Sequence, residues 1–237
     1  MGVTSVVAEW PVGSGNNLLT GLDAYYNFEQ TSGNLVDIHS TYEGTDNANI
    51  TYSQTGIIDN CMSFNGTSSF LELYNPPRPT TALGISFWFN TSKTTDNFGG
   101  IISNYDASGG YKLQIYYVGS TDQRLRLTMH NGTTYTTFDT SHAIICDGSW
   151  HHCVISFDGT EIKAYIDNVL KSSSWSWADT LSYSGSNLYA QIGSLFSTNT
   201  WFSGMIDEMA LFSRALTATD VSNLFNSGNG LPYSSFD

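Results

Sequence analysis

The sequence has few basic residues. Eight Lys and Arg stand against 21 Asp and Glu in 237 residues, which gives a formal net charge of −13. A protein that binds a nucleic-acid duplex needs a cationic surface to neutralise the phosphates, and this chain does not supply one. The same charge opposes contact with anionic membrane surfaces. We therefore expect no nucleic-acid partner.

Cysteine is scarce, and long apolar runs are lacking. Cys61, Cys146 and Cys153 form an odd set without CxxC metal spacing, although a Cys146–Cys153 bridge is one alternative. No apolar stretch approaches the roughly 20 residues that a membrane-spanning helix requires, so we expect no membrane insertion. The first 21 residues lack a basic start followed by an apolar segment, and they predict no signal peptide. The expected location is an extracellular-facing surface or a virion released by lysis.

Aromatic residues are abundant, with 13 Phe, 14 Tyr and 6 Trp. They can bury more apolar surface than a disordered chain carries, so the sequence predicts a folded domain. From Leu22 to Phe28, Leu22, Ala24, Tyr26 and Phe28 alternate with more polar neighbours. This period of two is typical of a half-buried β-strand. Similar runs recur at short intervals as far as residue 214, which favours an all-β domain.

Turn and helix signals punctuate these runs. The predicted hairpin turns are Asn65-Gly66, Asn131-Gly132 and Asp158-Gly159, since these dipeptides accept positive φ. One helix is predicted near the C-terminus, where Thr217 and Asp220 form a capping box. Val221, Leu224 and Phe225 share one face of it, and Gly228 is the expected stop. Residues 1–20 are expected to be a polar N-terminal arm, and residues 21–237 a single domain.

Five segments together resemble laminin-G-like, concanavalin A-like jelly-roll domains. They are GLDAYYNFEQTSGNLVDIHS, GIIDNCMSFNGTSSFLEL, ISFWFN, DGSWHHCVISFDGTEIKAYIDNVL and FSGMIDEMALFSRALTATDV. The resemblance covers roughly residues 21–227 and is most specific in the last segment, where a strand, Arg-Ala-Leu and a capped helix follow in order. It implies an antiparallel β-sandwich jelly roll with one short C-terminal helix. Because this scaffold has many uses, it says more about fold than about function.

Motifs for catalysis are lacking. Glycosidases of this architecture place carboxylates on alternate positions of one strand, as Glu-x-Asp-x-Glu, so that they share a face. The nearest match, Asp207-Glu208, holds adjacent carboxylates that a regular strand sends to opposite faces. We find no GxSxG, HExxH or phosphate-binding loop. The prediction is that the protein is not an enzyme.

Calcium is the cofactor that the resemblance implies. In similar proteins, an Asp after the first strand and an acidic residue on the closing strand often share an ion. The matching positions here are Asp37 with Asp207 or Glu208. Calcium takes six to eight oxygen ligands, which acidic loops can supply. The alternative is that Asp37 caps a turn and Asp207 accepts backbone hydrogen bonds.

Exposed aromatic rings beside polar side chains are typical of sugar-binding sites. The candidate ligand-binding residues are Tyr105, Asp106, Tyr116, Tyr117, Trp175, Trp177 and Trp201. Trp175 and Trp177 are two residues apart, so an extended segment presents both rings on one side. The alternative is that these rings are buried against the sheet or a partner chain.

The sequence thus favours a non-catalytic module that binds a glycan or a cell-surface polysaccharide. The alternative hypothesis is a structural decoration protein of a capsid or tail, whose main contacts are to other subunits of a larger assembly. It is motivated by the polar arm and by the expected lack of a leader.

Overall fold

The computed structural model describes residues 17–46, 49–94, 98–106, 109–119, 122–172, 175–183, 189–196 and 200–237. One sheet contains β1 (Leu22–Tyr26), β3 (Thr51–Thr55), β4 (Asn60–Asn65), β6 (Leu83–Asn90), β11 (Trp150–Phe157), β12 (Glu161–Ile166), β13 (Val169–Leu170), β14 (Trp175–Ser176) and β16 (Ser203–Phe212). The other contains β2 (Gly44–Asp46), β5 (Leu71–Tyr74), β7 (Phe98–Asp106), β8 (Gly109–Gly119), β9 (Asp122–His130), β10 (Tyr135–Asp139) and β15 (Tyr189–Ile192).

The two sheets form an antiparallel sandwich. The larger sheet runs in the order β13-β12-β11-β6-β16-β4-β3, with β1 beside β16 and β14 beside β12. The smaller sheet runs β10-β9-β8-β7-β15-β5-β2. The first and last strands of the chain, β1 and β16, therefore pair directly. This arrangement confirms the predicted all-β sandwich.

The main core lies between the two sheets and follows from alternation along each strand. In β6, Leu83, Ile85, Phe87 and Phe89 enter the core, whereas Trp88 faces outward. In β9 of the smaller sheet, buried residues alternate in the same way with outward-facing polar ones. Because cross-strand partners share a face, the polar side chains of neighbouring strands lie together on the outer face of the smaller sheet.

A second apolar cluster covers the outer face of the larger sheet. Leu22 and Tyr25 pack there with Phe212, Val221 and Phe236. The sequence placed Leu22 on the same face as Ala24, and that prediction is wrong. The pairing of β1 with β16 shifts register between Leu22 and Ala24, which turns Leu22 to the opposite face.

Helix α1 (Ala218–Phe225) lies over this second cluster, and the short 3₁₀ helices η1 (Asn226–Gly228) and η2 (Tyr233–Ser235) follow it. The predicted capping box is confirmed: Thr217 accepts from the backbone of Asp220, whose carboxylate accepts from Thr217. Phe225 stacks on Trp88 at 5.8 Å between ring centroids. Among the described residues, no helix has the length and apolarity to span a bilayer.

Two of the three predicted hairpins are confirmed. Asn131-Gly132 connects β9 to β10, and Asp158-Gly159 connects β11 to β12. Asn65-Gly66 instead joins strands of different sheets, so it forms an arch rather than a hairpin. The Asn65 side chain accepts backbone N–H groups of the following residues, which holds this arch.

The ends of the described chain lie together. The backbone N–H of Leu18 donates to the carbonyl of Phe236 at 3.0 Å, and both side chains are fully buried. The three cysteines are buried and free. Residues 1–16, most of the predicted N-terminal arm, lie outside the described residues.

Candidate functional site

A groove crosses the outer face of the smaller sheet. Its volume is about 380 Å³. The side chains that line it come mainly from β7 to β10: Tyr105, Lys112, Gln114, Arg126, Thr128, Tyr135, Thr137, Leu195 and Thr200. Rings, amide, hydroxyl and cationic groups therefore meet on one surface.

Strand register brings these groups together. Lys112 on β8 lies opposite Thr128 on β9, and Gln114 lies opposite Arg126. Thr128 in turn lies opposite Thr137 on β10, with 3.2 Å between their hydroxyl oxygens. Each pair presents both side chains to the same face of the sheet.

Two tyrosine rings supply the apolar surface of the groove. Tyr135 is 67% exposed. Tyr105 is half-buried and meets the ring of His130 edge-on, with 5.7 Å between centroids. Exposed rings beside polar groups suit the mixed character of a sugar, whose C–H faces are apolar and whose hydroxyls are polar.

Gln114 is the unusual polar residue of the groove. It is 5% exposed, and its side-chain amide makes no hydrogen bond to any part of the chain that the structure describes. The two amide atoms are not fully buried, so they stay in contact with the solvent of the groove. A donor and an acceptor are therefore available at the floor of the groove.

The two cations of the groove differ in their partners. Arg126 forms a two-pronged ion pair with Asp139, both distances being 2.6 Å, and its Cζ lies 3.7 Å from the ring centre of Tyr116. The Lys112 ammonium lies 4.7 Å from the ring centre of Tyr105, and no described carboxylate pairs with it. Burial, assisted by repulsion from Arg126, lowers the pKa of Lys112 below its usual value.

The candidate sugar-binding residues predicted from the sequence do not lie together at one site in the structure. Tyr105 lines the groove, whereas Tyr117 points into the core and is buried. The side chain of Asp106 lies outside the described ones. Trp201 is half-buried at a different place, with its ring 5.6 Å from that of Phe70.

Trp175 and Trp177 are core residues rather than exposed platforms, each being 8% exposed. The ring of Trp175 packs against Phe138 at 5.5 Å, and that of Trp177 against Phe157 at 5.4 Å. The two rings do lie on one side of their segment, but that side faces the main core. The two tryptophans are thus buried against the sheet, which is the alternative that the sequence analysis left open.

Asp37 is held by backbone amides. Its Oδ1 accepts from the N–H groups of Tyr25, His39 and Ser40 at 3.0 to 3.1 Å, and its Oδ2 accepts from that of Tyr42 at 3.1 Å. Asp37 is itself buried. The carboxylate therefore ties the loop after β1 back to β1, and its neighbours are donors rather than the oxygen ligands that calcium prefers.

Asp207 is held in a similar way. One oxygen accepts from the amides of Ile57 and Ile58 at 2.9 and 3.3 Å, and the other from that of Glu208 at 3.0 Å. Burial raises the pKa of both Asp207 and Glu208 to about 8. Within the described residues, no three His, Cys, Asp or Glu side chains are grouped to hold a metal ion. Calcium binding at Asp37 with Asp207 or Glu208 stays a prediction.

Sequence reasoning missed most of the groove. Polar residues alternate with apolar ones in YKLQIYYV and QRLRLTMH, and this pattern could have identified Lys112, Gln114 and Thr128 as outward-facing. Alternation alone identifies an outward face. It does not show which strands lie side by side, so it does not reveal a groove.

Comparison with known families identifies the class of protein. A family model described as the concanavalin A-like lectin/glucanases superfamily, of laminin G type, matches residues 65–222, more than half of the chain. The chain belongs to this superfamily. Comparison with curated protein sequences gives no match.

Solved structures agree on the fold. Domain 4 of AbnA, an extracellular GH43 arabinanase of Geobacillus stearothermophilus solved in complex with arabinotriose, is 21% identical with a TM-score of 0.67; 89% of this chain and 98% of that one are covered. The binding domain of botulinum neurotoxin serotype D is 18% identical with a TM-score of 0.66, and the match covers 90% of this chain and 53% of that one. The binding domain of botulinum neurotoxin DC, in complex with SialylT, is 13% identical with a TM-score of 0.65, and the match covers 89% of this chain and 52% of that one. The chain spans about half the length of these toxin domains.

Proposed function

We propose that the protein is a non-catalytic carbohydrate-binding module and that the groove on the smaller sheet is its binding site. The observation that carries the proposal is the Gln114 amide, which lines the groove without a hydrogen-bond partner among the described residues. Sugar hydroxyls both donate and accept, so they would satisfy this amide. The exposed ring of Tyr135 would pack on the apolar face of the same sugar.

Similar proteins support a binding role. The arabinanase domain was solved with a bound arabinose oligosaccharide, and the toxin domains are described as binding domains, one of them in complex with SialylT. By analogy, we expect a glycan on a cell surface or in a polysaccharide to be the partner of this chain. An extracellular-facing location follows from such a partner.

A glycan-array screen of the purified protein, run with calcium and again with chelator, tests the proposal. We expect saturable binding to at least one glycan. Tyr135→Ala should weaken that binding about tenfold and Gln114→Ala about fivefold, from the usual worth of a ring contact and of a hydrogen bond. Tyr74→Ala is the matched control, because Tyr74 is a 59%-exposed tyrosine on β5 of the same sheet that does not line the groove.

A blank array in both buffers, or equal losses for Tyr135→Ala and Tyr74→Ala, would contradict the proposal. The alternative hypothesis of a capsid or tail decoration protein stays a prediction. It would gain support from a blank array together with a stable complex between this chain and another subunit of the same particle.

A further inference from the structure

The groove is positively charged in a strongly acidic protein. Its described lining includes Lys112 and Arg126 but no carboxylate, although acidic residues outnumber basic ones 21 to 8 in the chain. Cations of a protein with a charge of −13 have many carboxylates with which to pair. The charge of the groove is therefore a feature of this site and not of the surface in general.

Only one of the two groove cations is neutralised. The guanidinium of Arg126 is occupied by both oxygens of Asp139. Outside the groove, Arg124 on the same strand is paired with Asp122 at 2.8 Å. Lys112 is half-buried and contacts the face of the Tyr105 ring, and no described carboxylate completes an ion pair with it.

A half-buried ammonium without a counter-ion is costly, because it has lost part of its hydration. The lowered pKa of Lys112 reflects this loss. An anionic group placed at its Nζ would compensate for it and form a charge-assisted hydrogen bond, the stronger type of polar contact.

Gln114 stands beside Lys112 on the same face of β8. Residues two apart along a strand have Cα atoms about 7 Å apart, a distance that two long side chains can close around one small group. Lys112 offers a single unneutralised positive charge, and the amide of Gln114 adds a neutral N–H donor. One carboxylate, with one negative charge and two acceptor oxygens, matches this pair.

We propose that the groove selects an acidic sugar, whose carboxylate is bound between the Lys112 ammonium and the Gln114 amide. The inference rests on the proposed glycan-binding function and specifies its substrate class as carboxylated glycans, such as those with uronic acid residues. The ring of Tyr135 and the hydroxyls of Thr128 and Thr137 contact the rest of the sugar.

The test is a printed panel of oligosaccharides in matched pairs. In one set the members differ only in a carboxylate and its reduced alcohol, and in a second set only in a sulfate ester and its free hydroxyl. We expect the carboxylated member to bind about tenfold tighter than its reduced partner. This preference should shrink at about 0.5 M salt, because the groove is open to solvent and its charge is screened.

Variants of Lys112 assign the preference to the proposed contact. Lys112→Gln should reduce it to about twofold or less while the binding of the reduced member changes little. Lys112→Arg should retain it, and this variant guards against a loss caused by altered folding. Lys163→Gln, which makes the same change of charge on β12 of the other sheet, is the matched control.

The outcomes separate the inference from the proposed function. Equal binding of carboxylated and reduced members, or a preference limited to sulfate esters, would overturn the inference and leave a glycan-binding module in place. A preference that Lys163→Gln abolishes as strongly as Lys112→Gln would also overturn it. Binding to no member of either set would overturn both.

Discussion

Glu208 makes the stability of the protein depend on pH. It lies in the irregular part of β16 between Asp207 and Ala210, where its own φ is 50°. The side chain is 6% exposed, and its Oε2 has no hydrogen-bond partner in the described part of the chain. Burial of this carboxyl raises its pKa from 4.5 to about 8.

The sign of the effect follows from where the proton is bound. Between about pH 4.5 and pH 8 the folded protein keeps a proton on Glu208 that the unfolded chain has released. Stability is therefore highest below this range, falls as the pH rises through it, and levels off above it. With 1.36 kcal/mol for each pKa unit, the full loss is on the order of 5 kcal/mol.

The perturbation that isolates this group is Glu208→Gln. Glutamine has nearly the shape of a protonated glutamate and does not ionise, so the variant should match the native protein at about pH 4 and exceed its stability by several kcal/mol at about pH 9. Urea denaturation across this range measures both unfolding free energies. Glu161→Gln is the control, because Glu161 is exposed on β12.

Parallel stability curves for the native protein and Glu208→Gln would refute the reasoning. They would show that the Glu208 carboxylate is solvated or paired in the folded state. Asp207, whose pKa burial also raises to about 8, shifts stability in the same direction. It leaves a residual pH dependence in both proteins.

Three other predictions concern the Asp37 carboxylate, the core residue Trp177 and the helix cap at Thr217. Asp37→Ala removes the acceptor of four backbone amides and should lower the unfolding free energy by about 3 kcal/mol or more in urea denaturation. If calcium binds at Asp37, adding it after chelation raises the melting temperature of the native protein and not of Asp37→Ala, whereas a purely amide-binding role predicts no rise in either. Trp177→Ala should cost about 3–5 kcal/mol in urea denaturation and leave glycan affinity unchanged, since the ring is in the core. Thr217→Ala should cost about 1 kcal/mol through loss of the capping box, and the same titration measures it.

Local patterns predicted the elements of this fold well. The recurring strand runs and the capping box of Thr217 depend on residues close in sequence, and both are confirmed. The pairing of the first and last strands, β1 with β16, has no such local signal. A sequence pattern within a few residues was sufficient to predict a structural element that is itself formed by those residues.

The sequence-based predictions failed where tertiary packing determines which face of a strand is buried. The spacing of Trp175 and Trp177 correctly placed both rings on one side, but their partners, Phe138 and Phe157, determine that this side is the core. Leu22 was misplaced for a related reason, since an irregular pairing with β16 reverses its face. A one-residue shift in register exchanges the buried and exposed sides of a strand, and no pattern within that strand reveals it.

The charge of the groove also depends on strand register, which the sequence alone does not reveal. The charge of Arg126 is neutralised by Asp139, because the register of β10 places Asp139 directly opposite it. A slip of that pairing by two residues would keep every outward side chain outward, yet it would move Asp139 away from Arg126 and leave a second unneutralised cation. The sequence of β8 to β10 would be the same in both cases. Which cation of the groove lacks a paired carboxylate is therefore decided by the register between strands, and it becomes visible only when the sheet is assembled.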